Sequence, residues 1–241
     1  MPGIRERVRA ELVAEIVEVA RRHLGERGAA GLSVRAVTRE LGMAPSAVYR
    51  YFPNRDALLT ALIVSAYEGL GAAAREAESG VDREDHLGRW HAVFRAVRAW
   101  ALTHRHEYAL IYGTPVPGYV APEDTVGPAA QVTLLLAGIV TDAAVGPGLA
   151  EHESVPVPQT LQSDVDARIA DVVRTMAPEQ TASLRALRPD TVLGVIDAWS
   201  ALFGAVSFEL FGHYHRVIEA REAHIEHLAR TTARTVGLPG A

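Results

Sequence analysis

Apolar residues recur at three- and four-residue steps along most of the chain, and this spacing constrains the fold more than any other feature. In the first segment Leu12, Ile16, Val19, Ala20 and Leu24 follow it, with Arg and Glu between them. A helix of about 3.6 residues per turn gathers such positions on one face, whereas a half-buried strand needs strict alternation. No sustained alternation occurs. The sequence therefore predicts an all-α fold.

Composition excludes several classes of protein. Of the 241 residues, 49% are hydrophobic and 22% are charged, as in ordinary globular domains, which argues against a disordered chain. Cysteine is absent, so disulfides, zinc–thiolate sites and a cysteine nucleophile are impossible. The longest uncharged apolar runs, 132–141 and 198–208, fall short of the ~20 residues that cross a bilayer. The charged N-terminus does not resemble a signal peptide. We expect a cytoplasmic protein with no membrane partner.

Charge is distributed unevenly between the two ends of the chain. Residues 1–60 contain ten Arg and seven acidic residues, a balance of +3, whereas the remainder has a balance of −8. A basic N-terminal part on an acidic body indicates that the N-terminal part binds an anionic partner. Lysine is absent, so every basic contact must come from Arg, which can donate two parallel hydrogen bonds to phosphate or guanine.

Two short helices joined by a tight turn are predicted within residues 33–53. Ser33 is a candidate N-cap for a helix over 34–41, and Gly42 suits its C-terminal stop. Pro45 favours the first turn of a next helix, which Pro53 ends near Phe52. This arrangement is typical of a helix-turn-helix, whose second helix enters the major groove of DNA. Similar pairs of helices also occur in proteins that never bind DNA.

The candidate DNA contacts lie on these helices and at the start of the next one, which we expect Asn54 to cap. Short side chains near Ser46 let the backbone approach base edges, and Arg50 can reach a base or a phosphate. Tyrosine hydroxyls donate to phosphates, and a helix N-terminus beside Arg55 favours another phosphate. The predicted contacts are Ser33, Arg35, Thr38, Ala44, Pro45, Ser46, Tyr49, Arg50, Tyr51 and Arg55.

The stretch LSVRAVTRELGMAPSAVYRYFPNRDALLTAL resembles the N-terminal signature of TetR-family transcriptional regulators. The resemblance implies that Gly42 makes the turn, that Tyr49 and Tyr51 lie on the recognition helix, and that Arg55 holds a phosphate. The chain departs from the usual pattern in having Thr38 in place of a small Ala, Ala44 in place of a Ser or Thr cap, and Arg55 in place of Lys. These departures affect the expected operator sequence and leave the expected fold unchanged.

The segment RAWALTHRHEYALIYGTPVPGY resembles a regulatory domain of one TetR branch that carries a Trp-His-Gly signature, here Trp100, His104 and Gly113. Spacing alone places Trp100, His104 and Tyr108 on one helix face. Aromatic residues in the body are candidates for a cavity that binds an organic effector, although core packing explains the same spacing. The candidate effector contacts are Phe94, Trp100, His104, Tyr108, Tyr112, Trp199 and Phe203.

Two long helices, 190–212 and 217–236, are predicted to close the chain, and the first is rich in small residues that permit close helix packing. The resemblance implies that they form a four-helix interface with a second subunit; packing within one chain is the alternative. The predicted dimer contacts are Trp199, Phe203, Phe208, Phe211, Ile225 and Leu228. The histidine pairs lack metal-ligand spacing, so we expect neither a metal site nor a cofactor.

Together these features predict a DNA-binding domain over 1–55 and a ligand-binding and dimerisation domain over 56–241. The predicted function is a homodimeric repressor that binds palindromic operator DNA and is released by a small organic effector. A constitutive DNA-binding regulator without a ligand is one alternative. An all-helical enzyme is a weaker one, because the sequence has no nucleophile–base spacing, no GxSxG and no Gly-rich phosphate loop.

Overall fold

A computed structural model describes residues 3–151, 156–173, 184–185 and 187–241. Within these residues the chain forms ten α-helices and no strand, and 74% of it is helical, which confirms the all-α prediction. The helices are α1 (Ile4–Arg27), α2 (Val34–Glu40), α3 (Pro45–Tyr49), α4 (Arg55–Ser79), α5 (His86–Thr103), α6 (Arg105–Tyr112), α7 (Val126–Val145), α8 (Gln159–Val173), α9 (Pro189–Leu210) and α10 (Arg221–Thr235).

The chain divides into two compact units. The first contains the residues up to Gly69 together with Thr103–Ala129, and the second contains the described parts of Leu70–Leu102 and Ala130–Ala241. Helix α4 contributes residues to both units. This division follows packing, whereas the boundary predicted after residue 55 follows function, and that boundary remains a prediction.

The first unit is built around one hydrophobic cluster, called here the head core. Helix α1 supplies one side of it and ends at Gly28, whose φ of +67° favours glycine. The sequence offers two glycines, Gly25 and Gly28, as ends of this helix, and the structure shows that Gly25 lies inside α1. The head core comprises Ile16, Val17, Val19, Ala20, Leu32, Val34, Val37, Val48, Phe52, Leu58, Leu59, Leu62 and Ile63.

The second unit has a core of its own that includes a buried tryptophan. The Trp90 side chain of α5 is fully buried, and its Nε1 donates to the carbonyl of Ala229 in α10 at 3.1 Å. Arg89, only 2% exposed, donates to Glu78 at 2.6 Å and to Asp142 at 2.8 Å. These bonds join α4, α5 and α7. They also pair a buried guanidinium, which would destabilise the fold if it were left without a partner.

Three helical segments, Arg55–Ser79, Glu123–Val145 and Pro189–Leu210, are long and apolar enough to cross a membrane by length and composition. The uncharged runs considered in the sequence are shorter than these segments, because they did not allow for one or two charges within a longer apolar window. Each segment also places residues in the cores described above: Leu58 and Leu59 are fully buried, as are Leu136 and Leu202.

Candidate functional site

The turn between α2 and α3 is closed by backbone hydrogen bonds that require glycine. Gly42 has φ +64°, and its N–H donates to the Arg39 carbonyl at 3.2 Å. The N–H of Met43 donates to the Thr38 carbonyl at 3.2 Å. This pair of bonds is a Schellman motif, which ends α2 and directs the chain into α3. The role that the resemblance implied for Gly42 matches this geometry.

Helix α3 is shorter than the sequence predicts. It begins at Pro45 as expected but ends at Tyr49 instead of near Phe52. The N–H groups of Tyr51 and Phe52 both donate to the Val48 carbonyl, at 2.9 and 3.0 Å, so the chain continues in a turn. Phe52 precedes Pro53, which disfavours helical backbone, and its ring is buried in the head core. Val48, also fully buried, anchors the helix from the same side.

The opposite side of this region is exposed and is called here the reading face. Tyr49 is 37% exposed, and Arg50, the next residue, is also exposed. No acidic residue occurs between Glu40 and Asp56. An exposed surface with hydroxyl and guanidinium donors and no carboxylate can approach a polyanion closely. The reading face consists of Arg35, Ala44, Pro45, Ser46, Tyr49 and Arg50, all exposed.

Four other predicted contacts are placed differently. Thr38 is 3% exposed, and its hydroxyl donates to the Val34 carbonyl at 2.7 Å, so it supports α2 and is not available to a ligand. Ser33 occupies the N-cap position of α2, but its side chain makes no capping bond. Arg55 donates to the Ala29 carbonyl at 2.8 Å, which ties the start of α4 to the loop after α1.

Tyr51, the fourth, is half-buried against the head core. The Arg9 guanidinium lies over its ring, 5.6 Å from the ring centroid. The sequence did not predict this contact between Arg9 and Tyr51, because a contact between residues this far apart in sequence leaves no local pattern. The only hint was the run of arginines at the start of α1.

Helix α4 starts as the sequence predicts. Asn54 Oδ1 accepts the Ala57 N–H at 2.8 Å, which is an N-cap bond. Asp56 lies in the first turn, where the helix dipole favours negative charge.

The acidic residue that ends α2 is neutralised within the first unit. Glu40 accepts from Arg22 at 2.7 Å and lies 2.6 Å from His23 Nε2. The hydrogen bond from Arg22, followed by that from His23, holds the pKa of Glu40 below its ordinary value. The carboxylate beside the reading face is therefore already paired with the Arg22 guanidinium and hydrogen-bonded to His23.

Two family models match the chain over these elements. Residues 16–62, which include α2 and α3, match a model described as bacterial regulatory proteins, tetR family. Residues 90–232 match a model described as tetracyclin repressor-like, C-terminal domain, which covers more than half of the chain. The chain belongs to the TetR family of transcriptional regulators. It is thus a DNA-binding regulator and not an enzyme.

TetR-family membership is supported by relatives along most of the chain. The HTH-type transcriptional regulators Rv1816 of Mycobacterium tuberculosis and Mb1846 of Mycobacterium bovis are each 38% identical over 222 residues, 88% of this chain and 86% of theirs. A crystal structure of the regulatory protein SCO4313 is 30% identical, with a TM-score of 0.65 over 96% of this chain and 98% of that one. A TetR-family regulator from Shewanella sp. PV-4, 15% identical with a TM-score of 0.56, shares the fold.

The predicted effector residues are distributed over the two units. Tyr108 and Tyr112 belong to the first unit, with ring centroids 5.1 Å apart, and Tyr67 meets Tyr112 edge-on at 5.9 Å. Phe94 is fully buried in the second unit and stacks on Trp90 at 5.7 Å. At these positions the spacing of the aromatic residues therefore reflects local packing within each unit. The Trp-His-Gly subtype remains a prediction.

The single helix face predicted for Trp100, His104 and Tyr108 is wrong. Helix α5 ends at Thr103 and α6 begins at Arg105, with His104 at φ −116° and ψ 47° between them. A residue with this backbone conformation breaks the helix, so four-residue spacing no longer aligns the three side chains. His104 is exposed, whereas Trp100 and Tyr108 are buried.

Trp199 differs from the other predicted effector residues. It lies on α9 with its ring centroid 5.9 Å from that of Phe203. Its Nε1 is buried and has no hydrogen-bond partner among the described residues. Trp90, by contrast, has two acceptors for its Nε1, at 3.1 and 3.2 Å. A buried indole N–H without an acceptor is costly, so it marks a place where a bound acceptor would be favoured.

The predicted dimer contacts divide into buried and exposed residues. Phe203 and Ile225 are 5% and 2% exposed, so they belong to the core of their own chain, contrary to the prediction. Phe208 and Phe211 are 50% and 45% exposed. Trp199 and Leu228 are half-buried. The exposed residues of α9 recur at helical spacing, at Asp197, Ser200, Gly204, Phe208 and, just beyond the helix, Phe211.

Among the described residues, the second unit has a larger and a smaller cleft whose lining includes no predicted effector residue. The larger, of about 810 Å³, is polar and is lined by residues that include Arg98, Glu209 and Glu226. Arg98 donates to both oxygens of Glu209, at 2.8 and 2.7 Å. The smaller, of about 290 Å³, lies beside Leu187 and Thr191. Within the described part of the chain, no group of three or more His, Asp or Glu side chains is placed to hold a metal ion.

Proposed function

We propose that this TetR-family protein is a cytoplasmic, ligand-responsive repressor whose reading face binds operator DNA. The observation that carries the proposal is the exposed, carboxylate-free surface around α3. Its short residues, Ala44 and Ser46, allow the backbone to approach base edges. Tyr49 and Arg50 supply donors for phosphates or bases.

The proposed assembly is a homodimer, because two reading faces related by two-fold symmetry fit a palindromic operator. Half-sites about 34–36 Å apart, or a related spacing, place both α3 helices in the major groove. The exposed stripe of α9, with Phe208 and Phe211, is the proposed contact with the second subunit. Large exposed aromatic side chains at helical spacing favour burial against a partner.

The proposed effector binds the second unit and shifts the dimer away from its DNA-binding conformation. It can do this only by as much as its affinities for the two conformations differ. Helix α4 is the proposed lever, because it begins beside the reading face and ends in the second unit. The unpaired Trp199 Nε1 supports an effector that carries a hydrogen-bond acceptor.

One observation favours a second candidate, a DNA-binding regulator without an effector. Phe94 and Tyr108 are fully buried, and the predicted effector residues are divided between the two units. Thermal melting across a panel of organic metabolites distinguishes the candidates, because a ligand raises the melting temperature by mass action. An effector should raise it and also weaken operator binding. If no compound in a broad panel does either, the constitutive regulator is favoured.

Selection of bound duplexes from a random DNA pool, at a stated salt concentration, tests the DNA-binding proposal. A palindromic consensus is expected, with half-sites at the spacing given above. A non-palindromic consensus would contradict the dimer on DNA. Failure to enrich any sequence would contradict the repressor proposal itself.

Gly204→Trp tests the dimer surface. Gly204 is exposed on α9, and a Cβ added there meets no heavy atom within 4 Å, so the subunit itself should tolerate the substitution. A bulky ring should block close approach of a second α9, and sedimentation should show folded monomers. Gly138→Trp on α7 is the matched control, since a Cβ there also meets nothing within 4 Å. A dimer that survives Gly204→Trp would place the interface elsewhere.

A further inference from the structure

The first two turns of α1 project from the first unit. Residues 6–11 are all exposed, and burial in α1 begins only at Leu12 and Val13. Packing within the chain therefore does not explain why the helix extends so far. This segment contains Arg7 and Arg9, and Glu6 is already engaged because it accepts the Gly3 N–H at 3.0 Å.

Arg9 lies against Tyr51, two residues beyond the end of α3. Its guanidinium lies 5.6 Å from the centroid of the Tyr51 ring. Tyr51 is itself held, because its N–H donates to the Val48 carbonyl at 2.9 Å and its ring packs on the head core. No described carboxylate lies within ion-pair distance of Arg9, so its N–H groups remain available to an external acceptor.

We infer that Arg9 and Tyr51 form a composite clamp for a DNA phosphate next to the bases that the reading face contacts. Stacking on an aromatic ring holds a guanidinium by its face and leaves its edge free to donate two hydrogen bonds to phosphate oxygens. The Tyr51 hydroxyl is a further donor. This inference rests on the proposed DNA contact of the reading face and extends it to α1.

The chemical groups of Arg9 and Tyr51 favour an anionic partner. They offer hydrogen-bond donors and positive charge, and the neighbouring stretch 41–55 has no carboxylate. A phosphodiester backbone satisfies these groups at the edge of a groove that α3 enters. A free phosphate ion has the same chemistry, and the experiment below separates the two.

The test is the salt dependence of operator binding by the full-length Arg9→Ala, Arg9→Lys and Arg7→Ala proteins. Loss of one phosphate contact lowers the slope of log affinity against log salt by about 0.9, which weakens binding about eightfold at 0.1 M salt and little near 1 M. We expect this for Arg9→Ala and a partial loss for Arg9→Lys. Arg7, two positions away and thus on a different helix face, is the matched control and should leave the slope unchanged.

A double-mutant cycle identifies the role of the ring. In the Tyr51→Phe background, which keeps the ring, Arg9→Ala should retain most of its effect; in the Tyr51→Leu background it should lose most of it. Melting temperatures establish that each variant is folded. Equal slopes for Arg9→Ala and wild type, or equal losses for Arg9→Ala and Arg7→Ala, would overturn the clamp.

Two further results separate the clamp from its alternatives. If Arg50→Ala weakens operator binding while Arg9→Ala does not, the clamp is contradicted and the proposed DNA contact of the reading face is retained. If neither variant weakens operator binding, the proposed DNA contact of the reading face is itself contradicted. Titration with inorganic phosphate should give no saturable binding near Arg9; saturation at millimolar phosphate that Arg9→Ala abolishes, without any effect on operator binding, would assign the site to a free anion.

Discussion

The reading face and the aromatic residues of the body were predicted by similar reasoning, yet they occupy different environments. On the reading face, Ser46, Tyr49 and Arg50 are exposed, while Val48 anchors the same helix in the core. Phe94 and Tyr108 are fully buried. A surface that contacts an external partner must display polar groups on a rigid support, and a short segment of sequence can encode both. An internal cavity depends on how distant helices pack, and aromatic spacing does not report that.

The largest expected effect tests the buried side of this comparison. Phe94→Ala should lower the free energy of unfolding by about 3–5 kcal/mol, because it removes a fully buried ring that stacks on Trp90. Denaturant unfolding measures the change. The same aromatic-to-alanine substitution at the exposed Tyr49 should cost about 1 kcal/mol or less. A small loss for Phe94→Ala would instead indicate a pre-formed cavity around that ring.

Arg50→Ala tests the exposed side. It should weaken operator binding by about 1–3 kcal/mol without changing the unfolding free energy, because Arg50 contacts no core. Binding titrations and melting curves provide the two measurements. Arg95→Ala, which removes another exposed arginine, from α5, is the control and should leave DNA affinity unchanged. Unchanged operator affinity of the Arg50→Ala protein would show that Arg50 does not contact DNA.

The outcome along the first sixty residues shows what sequence can and cannot predict. The turn at Gly42, the start of α3 at Pro45 and the cap at Asn54 were predicted from single residues, since each depends on local backbone and side-chain chemistry. The end of α3 was missed because Phe52 leaves the helix to enter the core. The burial of Thr38 and the contact of Arg9 with Tyr51 depend on packing between helices, which local patterns do not contain.

The same distinction applies to the body. The predicted helices 190–212 and 217–236 correspond to α9 and α10, although α10 begins at Arg221 and not at 217. The break at His104 was not predicted, because apolar spacing continues across it from α5 into α6. Phe203 and Phe208 lie five residues apart on α9, yet one is buried and the other is exposed. Periodicity identified the helix without showing which side meets the subunit's own core.

Thr38→Val sharpens the comparison within the helix-turn-helix itself. Thr38 was predicted to contact DNA, but its hydroxyl bonds to its own helix in the interior. The substitution should cost about 1 kcal/mol of stability through the lost hydrogen bond. Operator affinity, measured by titration, should change less than twofold. A clear loss of operator affinity in a fully folded variant would indicate that Thr38 contacts DNA after all.

The smallest expected effect concerns pH. The pKa of Glu40 is lowered from its usual 4.5 by hydrogen bonds from Arg22 and His23, so its stabilising contribution is present above that value and is lost as the pH falls through the lower, folded-state pKa. Glu40→Gln should therefore flatten the acid limb of the stability profile. Glu15→Gln, at an exposed glutamate of α1, is the control. Parallel profiles for wild type and Glu40→Gln would contradict the account of this pair.

Photo-crosslinking tests the central claim most directly. A photoreactive residue placed at position 46 of the reading face, or at position 200 of the exposed α9 stripe, is irradiated in the presence of operator DNA. The account predicts DNA adducts from position 46 and crosslinks between subunits from position 200. DNA adducts from position 200, or none from position 46 while the protein remains bound to the operator, would contradict it.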